Sequence, residues 1–359
     1  MTEDERFMKQ AVKLAKKGER KVHPNPMVGA IFVKDGEILS TGYHKKWGGH
    51  HAEVEAINAA KKSKINLTGS TLYVTLEPCS HKGKQGPCTE AIKAIKPKIV
   101  VYSTIDPNPL VSGKGIKILN KAGIETKHLS INETKELNEI YNINTIEKRP
   151  FIHIKTACTQ SGYITLEKGH QTPLGNPKSM KRVHELRNKY EGILIGINTL
   201  LIDNPRLTTR LKKGKNPVRI IVDTNLRTPH DAQILKEEGG NIIATTHKSP
   251  PLFWKKMSNT EILICKSNKN QRVDLQDLLK KLNKKNISSI LVEGGESINT
   301  SFLNEGLVDK ISFIICPQKT TKKNLPQIFK TKENGLIELK NASMKWIDSD
   351  LWIEGTPKE

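Results

Sequence analysis

The sequence predicts two α/β domains, and three observations support this fold class. The chain has 359 residues, whereas a single domain usually contains roughly 100–200 residues. Short apolar runs alternate with amphipathic helical patterns in both halves, which is typical of sheets covered by helices. A polar stretch closed by Pro150 separates the halves, so we expect domains at residues 1–145 and 149–359.

The first half begins with a helix and a hairpin. Apolar residues recur at helical spacing over residues 4–17, and an Asp35-Gly36 turn then joins two strand patterns. Near the end of this half, the pattern indicates a polar helix followed by the connector Asn142–Arg149. The other predicted elements are the strands Val28–Val33, Ile38–Tyr43, Ser70–Leu76 and Ile99–Tyr102, and helices at 52–62, 88–95 and 114–122.

The second half continues the alternation of strands and helices. Cys265 and Cys316 end apolar runs, so we expect both to be buried thiols. Trp346 and Trp352 lie in a C-terminal strand region, where we expect them to pack against other side chains rather than stack on a base. The predicted elements are the strands Phe151–Ala157, Gly192–Ile197, Val218–Asp223, Asn241–Thr246, Glu261–Cys265, Ser289–Glu293 and Lys310–Cys316, and helices at 177–189, 274–285 and 296–305.

The charge of the chain favours anionic ligands. Lys and Arg number 59 against 37 Asp and Glu, which gives a formal net charge of +22. Only ten of these basic residues are Arg, the side chain usually chosen to recognise phosphates and bases through two parallel hydrogen bonds. Because the excess is mostly Lys and is spread along the chain, we expect a solvated surface and no nucleic-acid partner.

Two features indicate a cytoplasmic protein. No run of 18 apolar residues occurs, and the first twenty residues are charged throughout, so we expect neither a membrane span nor a secretory signal. The five Cys residues are too few for a disulfide framework in a chain of this length.

A candidate zinc site stands out in the first half. His51 begins a predicted helix, while Cys79 and Cys88 each follow a proline after the strand that ends at Leu76. One imidazole and two thiolates leave the fourth tetrahedral position for water, which is typical of catalytic zinc. His81 and Cys158 are rival ligands in this pattern.

Glu53 supplies the acid–base group that such a zinc site needs for hydrolysis. Zinc lowers the pKa of bound water from about 15.7 toward about 7. Glu53 lies two residues after His51 and is free to carry a proton from that water to a leaving amine. These parts predict a hydrolytic deaminase that acts on an amino-pyrimidine or amino-purine.

The motifs of the first half resemble the bifunctional deaminase-reductases of riboflavin biosynthesis. The resemblance lies in His51-Ala52-Glu53, in the stretch Thr75-Leu76-Glu77-Pro78-Cys79 with Cys88, and in His23–Gly29. It implies a cytidine-deaminase-like three-layer α/β/α domain with zinc on His51, Cys79 and Cys88. The eight residues between the two Cys exceed the Cys-x-x-Cys spacing of nucleic-acid deaminases, which favours a small-molecule substrate.

The same resemblance implies a pyrimidine pocket and continues through the second half. It assigns Asn25, Asp106 and Asn108 to the pocket, although turn formation explains Asn25 equally well.

For the second half, the resemblance implies a dihydrofolate-reductase-like α/β domain, which would bind NADPH without the G-x-G-x-x-G motif that this chain lacks. The implied NADPH residues are Cys158, Thr199, Asp203, Thr224, Gly295, Glu296, Ser297, Ile298, Asn299, Thr300 and Ser301. The implied substrate residues are Arg187, Leu207, Arg210 and Glu293.

Two departures from the family pattern fall beside the expected nicotinamide site. Ser161 stands where the family usually has Asp, and Pro173 where it usually has Trp. A degenerate reductase domain is therefore one alternative to a bifunctional enzyme. An RNA-editing deaminase and a non-catalytic binding protein are the others. The expected partner is a phosphorylated pyrimidine, and the resemblance suggests a homodimer.

Overall fold

The computed structural model describes residues 1–81, 86–109, 111–249, 251–330 and 337–358. The chain divides into two units, Met1–Lys148 and Arg149–Glu359. Among the described residues, no helix combines the length and apolar character that crossing a bilayer requires.

A five-stranded sheet forms the centre of the first unit, with strand order β2-β1-β3-β4-β5. β1 is antiparallel to β2 and to β3, whereas β3, β4 and β5 are mutually parallel. The carboxyl ends of β3 and β4 therefore meet at one edge of the sheet. The strands are β1 (Gly29–Lys34), β2 (Glu37–Tyr43), β3 (Thr71–Leu76), β4 (Ile99–Thr104) and β5 (Glu125–His128).

Helices cover both faces of this sheet, which confirms the predicted three-layer α/β/α arrangement. The first helix begins with a capping box, in which Thr2 and Glu5 each accept a hydrogen bond from the other's backbone amide. Its apolar side packs on one face of the sheet, and the next three helices pack on the other. The helices are α1 (Glu3–Ala15), α2 (Ala52–Lys62), α3 (Cys88–Ile95), α4 (Lys114–Lys121), α5 (Asn132–Leu137) and α6 (Glu139–Glu147).

The predicted connector Asn142–Arg149 was wrong, because α6 runs to Glu147. No Gly or Pro interrupts residues 132–147, so nothing in the local sequence opposes a helix. The helix ends where Lys148 adopts a left-handed conformation with φ of 56°. The sequence also gave no signal for β5, which is short, polar and at the sheet edge.

A nine-stranded sheet forms the second unit, with strand order β10-β9-β8-β7-β11-β6-β12-β14-β13. All neighbours are parallel except β14, which is antiparallel to both β12 and β13. All seven strands predicted for this half are present. The strands are β6 (Phe151–Thr159), β7 (Gly192–Gly196), β8 (Val218–Val222), β9 (Asn241–Thr245), β10 (Thr260–Ile264), β11 (Ser289–Val292), β12 (Lys310–Cys316), β13 (Leu339–Ile347) and β14 (Asp350–Pro357).

The strand order brings distant turns together in the second unit. β11 lies between β7 and β6, so the turns after β7 and β11 are neighbours at the carboxyl edge of the sheet. Ligands of open α/β sheets usually bind at such an edge. The helices of this unit are α7 (Pro177–Lys189), α8 (Ile197–Asp203), α9 (Gln233–Lys236), α10 (Leu275–Lys284) and α11 (Glu296–Asn304).

The side chains expected in the core of the second unit divide between the interior and the surface. Cys265, Cys316 and Trp352 are buried as predicted. The prediction for Trp346 was wrong, since this side chain is 68% exposed. It belongs to β13, the last strand in the order of this sheet, so among the described strands β14 is its one neighbour.

A buried ion pair joins the start of the second unit to β12. The Arg149 guanidinium donates to both carboxylate oxygens of Asp309, at 2.7 and 2.8 Å. Asp309 also accepts from the backbone amide of Ile152 at 2.7 Å. Both side chains are about nine-tenths buried, so the direct hydrogen bonds between them stabilise two charges that water hardly reaches.

Replacing Asp309 should destabilise the second unit. We expect Asp309→Ala to lower its free energy of unfolding by about 3–5 kcal/mol, because the buried Arg149 guanidinium loses both hydrogen bonds to the Asp309 carboxylate. Urea unfolding of the whole chain, followed by circular dichroism, measures this loss. Lys322→Ala, which breaks the exposed pair with Glu167, is the matched control and should leave the midpoint unchanged. An equal response of the two variants would contradict the role of the buried pair.

Candidate active sites

Three side chains from separate elements converge at the carboxyl edge of the first sheet. His51 is the residue before α2, Cys79 follows β3, and Cys88 is the first residue of α3. His51 Nδ1 lies 3.1 Å from Cys88 Sγ and 3.4 Å from Cys79 Sγ, and the two sulfurs are 3.4 Å apart. Among the described residues, this trio is the one group of His, Cys and acidic side chains with metal-ligand spacing.

The geometry of the trio fits zinc. Zinc–ligand bonds of about 2.0–2.3 Å in a tetrahedron place the donor atoms roughly 3.5–3.8 Å apart, only slightly farther than observed here. His81 is exposed and outside the trio, and Cys158 belongs to β6 of the second unit. The structure therefore gives neither rival ligand a place in this cluster.

Glu53 lies in the first turn of α2 and is only 3% exposed. Burial raises the pKa of its carboxyl group to about 7, and the neighbouring Cys79 charge acts in the same direction. A hydrogen bond from Cys88 lowers the pKa of the Cys79 thiol, while the hydrogen bond to Cys79 raises the pKa of His51. Glu53 thus combines a position beside the trio with a pKa suited to proton transfer near neutral pH.

The turn that carries Cys79 is attached to α4. The buried Glu77 carboxylate accepts hydrogen bonds from the amides of Gly113 and Gly115, at 2.8 and 3.0 Å. A Cβ atom on Gly115 would lie 1.9 Å from the carbonyl oxygen of Pro78, so this close approach requires glycine. No local pattern in the sequence indicates this role of Glu77, because its partners lie 36 residues or more along the chain.

Asn25 is linked to the trio through a histidine that sequence analysis also missed. Its side-chain amide lies 3.2 Å from Nε2 of the buried His44, and His44 Nδ1 lies 2.9 Å from the carbonyl oxygen of His50. The His44 ring packs edge-on against the His51 ring, with centroids 5.5 Å apart. Burial lowers the pKa of His44, which favours the neutral ring. The signal in the sequence was the density of histidines between residues 44 and 51.

Asp106 and Asn108 form a turn after β4. Asp106 is 7% exposed, and its Oδ1 accepts from the Asn108 amide at 2.9 Å. Burial raises the pKa of Asp106, and the charge of Cys79 adds to this effect, whereas that of His81 opposes it. The structure therefore brings Asn25 and Asp106 to the same end of the unit as the trio.

Beside Gly295, in the turn between β11 and α11, a crevice with room for a Cβ atom lies between Thr199 and Ile164. A Cβ atom on Gly295 would meet only Thr199 Oγ1, at 3.5 Å, and Ile164 Cδ1, at 3.9 Å. On Gly294 the same atom would lie 1.8 Å from Ile298 Cγ2. Gly294 therefore allows close packing of α11 on the strand, while Gly295 leaves space between Thr199 and Ile164.

The other residues expected to bind NADPH occupy varied positions around this edge. Ile298 and Asn299 lie on the buried side of α11, and Cys158 is buried in β6 with a thiol pKa raised to about 11 by burial. Burial also raises the pKa of Asp203, at the end of α8. Three of the remaining residues accept hydrogen bonds from distant parts of the chain: Thr224 Oγ1 from Val273 N, Glu296 Oε2 from Gln327 N and Ser297 Oγ from Arg272. The other two donate within α11, Thr300 to Glu296 O and Ser301 to Ser297 O.

The residues expected to bind substrate in the second unit surround a buried carboxylate. Arg187 donates to both Glu293 oxygens at 2.7 and 3.0 Å, and Lys155 Nζ lies 2.8 Å from the same carboxylate. Burial opposes ionisation of Glu293, but the charges of Arg187 and Lys155 outweigh it and lower its pKa. The Arg187 guanidinium is thus already bound to Glu293. Arg187 and Lys155 carry two positive charges against the one negative charge of Glu293.

Leu207 and Arg210 lie on a loop beside this cluster. Both have left-handed backbone conformations, with φ of 51° and 53°. The Leu207 side chain is buried, Arg210 is exposed, and Arg187 holds the loop by donating to the carbonyl oxygen of Thr208 at 3.2 Å. Nearby, burial and the charges of Arg187 and Arg210 lower the pKa of His184, a residue that sequence analysis did not single out.

Comparison with known proteins matches both units. Residues 1–104 match the cytidine and deoxycytidylate deaminase zinc-binding region, and residues 150–352 match the RibD C-terminal domain. The riboflavin biosynthesis protein RibD of Aquifex aeolicus is 42% identical over 319 residues, covering 88% of this chain and 87% of that protein. The corresponding protein of Actinobacillus pleuropneumoniae is 40% identical over 316 residues, covering 87% and 83%.

A solved structure matches the chain over its whole length. It is a diaminohydroxyphosphoribosylaminopyrimidine deaminase/5-amino-6-(5-phosphoribosylamino)uracil reductase from Thermotoga maritima. The match has a TM-score of 0.86 at 36% sequence identity and covers 99% of each chain.

The metal content of Cys variants tests the trio. We expect about one zinc per chain in the purified protein and almost none in Cys88→Ser, because an alcohol is a far weaker zinc ligand than a thiolate. Cys265→Ser, which alters a buried thiol of the second unit, is the control and should retain the metal. Atomic emission spectrometry after dialysis gives the stoichiometry. Equal zinc in both variants would exclude Cys88 as a ligand.

Proposed function

The chain belongs to the RibD family of riboflavin biosynthesis proteins, and from this premise we propose how its two units divide the work of a bifunctional deaminase and reductase. The first unit hydrolyses the ring amine of 2,5-diamino-6-ribosylamino-4(3H)-pyrimidinone 5′-phosphate. The second unit reduces the ribosyl group of the product to ribityl, which gives 5-amino-6-(5-phosphoribitylamino)uracil. The observation that carries the proposal is the trio His51, Cys79 and Cys88 with Glu53 buried beside it.

In the deaminase unit, His51, Cys79 and Cys88 hold zinc, and Glu53 moves protons. Zinc, when bound, supplies the Lewis acidity that lowers the pKa of water toward about 7. The Glu53 carboxylate accepts a proton from the attacking water and delivers it to the leaving nitrogen. The water oxygen becomes bonded to the ring carbon, and the nitrogen departs as ammonia. A carboxyl pKa near 7 makes both transfers accessible at neutral pH.

Asn25, Asp106 and Asn108 orient the pyrimidine at this site. His44 holds the side-chain amide of Asn25, and Asp106 is anchored by the Asn108 backbone. These residues offer both hydrogen-bond donors and acceptors, which suits the polar edge of a diaminopyrimidinone ring. Their proximity to the trio supports this role.

In the reductase unit, the crevice beside Gly295 takes NADPH. Thr199 and the first turn of α11 border this crevice, and unpaired amides at a helix start favour phosphate groups. NADPH, when bound, supplies the hydride. Arg187 and Lys155 hold Glu293, and Arg210 lies on the adjoining loop, so the surplus positive charge of this region suits a substrate that carries a ribose phosphate.

Reductase activity is retained in this proposal despite Ser161 and Pro173. The turn at Ser161 closes with a hydrogen bond from the Gly162 amide to Thr159 O at 3.0 Å. A second hydrogen bond spans the same turn, in which Thr159 N donates to the carbonyl oxygen of Tyr163 at 2.9 Å. These contacts support an intact turn.

A homodimer stays a prediction from the resemblance, and sedimentation of the purified protein tests it.

Loss of the Glu53 carboxylate should abolish most deamination without loss of metal. We expect Glu53→Gln to slow ammonia release by roughly 10²–10⁴-fold, because the amide cannot accept the water proton. Zinc content should match the wild type. Glu55→Gln, on the same helix but paired with Lys45, is the matched control. Ammonia release by Glu53→Gln at more than a tenth of the wild-type rate would contradict the assigned role.

A side chain at Gly295 should block the cofactor and spare the fold. Gly295 has φ of −83° and ψ of −178°, which other residues adopt without strain. Gly295→Val therefore places two methyl groups in the crevice beside Thr199, and we expect the Kd for NADPH to rise at least about tenfold. Fluorescence titration measures the Kd, and ammonia release should not change.

Gly240→Val is the control for Gly295→Val. A Cβ atom at Gly240 meets only Val218, at 3.9 Å, and the residue lies before β9, at the opposite end of that strand from the crevice edge. We expect wild-type NADPH binding by this variant. Unchanged binding by Gly295→Val as well would show that the crevice is not the cofactor site.

A further inference from the structure

Two loops border the trio in the first unit, and both are held by one short stretch of chain. One loop carries Asn25 and the other carries Asp106. We propose that Asn138 and Tyr141, at the junction of α5 and α6, are positioning residues that hold these two loops in place for substrate binding. The inference rests on the proposed function, because that proposal makes Asn25 and Asp106 pocket residues.

Asn138 holds the first loop through a reciprocal pair of hydrogen bonds. The Met27 amide donates to Asn138 Oδ1 at 2.8 Å, and Asn138 Nδ2 donates to the Met27 carbonyl oxygen at 2.9 Å. Pro24 and Pro26 lack amide hydrogens, so the loop has few backbone donors of its own. The Asn25 amide uses one of them to reach Val22 O, and the Met27 amide depends on Asn138.

The position of Asn138 is well suited to helix capping, yet its side chain does not cap. It precedes α6, where Asn is among the preferred residues because its oxygen can accept a free amide hydrogen. In this structure no side chain caps the start of α6. The Asn138 side chain is only 6% exposed and is hydrogen-bonded to the Met27 backbone. Asn138 therefore does not stabilise its own helix as a cap, and instead bonds a residue 111 positions earlier in the chain.

Tyr141 holds the second loop through its hydroxyl group. Tyr141 donates to Asp106 Oδ1 at 2.9 Å, and the Asn108 amide donates to the same oxygen at 2.9 Å. Tyr141 is half-buried, and Asp106 is almost fully buried. A charged acceptor makes such a hydrogen bond stronger than one between neutral groups. The carboxylate is therefore fixed from both the loop and the helix.

Asn138 and Tyr141 lie outside the segment that matches the deaminase zinc-binding region, which ends at residue 104. Asn138 and Tyr141 are three residues apart, a spacing that places side chains on one side of a helical turn. The α5–α6 stretch thus completes a pocket whose metal ligands all lie earlier in the chain. Substrate affinity should depend on it, and zinc binding should not.

Tyr141→Phe tests the inference with the loss of one hydroxyl group. We expect the KM for the phosphorylated diaminopyrimidine to rise about three- to tenfold, because Asp106 loses the hydrogen bond from Tyr141, while kcat stays within about twofold. Zinc content and the thermal midpoint should equal those of the wild type. Tyr73→Phe is the matched control, because it removes a hydroxyl bonded to Asp4 at 2.5 Å on α1; its KM should not change.

Asn138→Asp provides a second variant of nearly the same shape. It keeps an acceptor for the Met27 amide and loses the donor to the Met27 carbonyl oxygen, so we expect a KM increase of similar size. In the double variant with Tyr141→Phe the two increases should multiply, since each residue holds a different loop.

The outcomes separate this inference from the proposed function. Wild-type ammonia release with an unchanged KM in Tyr141→Phe and in Asn138→Asp would overturn the positioning role and leave the deaminase assignment standing. A lowered zinc content or thermal midpoint that accounts for the whole loss would overturn it as well, by showing a structural role only. Wild-type protein that releases no ammonia would overturn both proposals.

Discussion

The convergence of His51, Cys79 and Cys88 is the constraint on which the first unit depends. Two thiols and an imidazole within 3.4 Å of one another must share protons or a metal ion. The starts of α2 and α3 both point to this place, where the positive ends of the helices stabilise negative sulfur. The Cys88 amide adds a hydrogen bond to Cys79 Sγ at 3.4 Å. Glu77 and Gly115 then secure the turn that brings Cys79 within reach.

In the second unit, a buried carboxylate paired with two cations holds the candidate substrate site together. Glu293 remains ionised in a buried position because Arg187 and Lys155 both contact it. Removing either cation would leave the carboxylate poorly compensated, so the cluster is an integral part of the fold as well as a candidate substrate site. The neighbouring loop adopts left-handed backbone conformations at Leu207 and Arg210, and Arg187 supports it through Thr208. Strain of this kind is commonly kept at functional sites.

The residues that sequence analysis predicted well carry local signals. His51, Glu53, Cys79 and Cys88 stand beside helix starts and prolines, and the seven strands of the second half are short apolar runs. The residues it missed act at long range. Glu77, Asn138 and Tyr141 have partners at least 35 residues away, and no periodicity or turn rule reports such a contact. Trp346 was misplaced because an edge strand follows the same sequence pattern as an inner one.

The most direct test of the bifunctional assignment follows ammonia and NADPH in one reaction. Purified protein with bound zinc is given the phosphorylated diaminopyrimidine, with and without NADPH. We expect equal initial ammonia release in both cases and NADPH oxidation that begins after a lag, because the reductase consumes the product of the deaminase. NADPH oxidation with no ammonia release, or ammonia release with no NADPH oxidation, would contradict the claim that both units are active on consecutive steps.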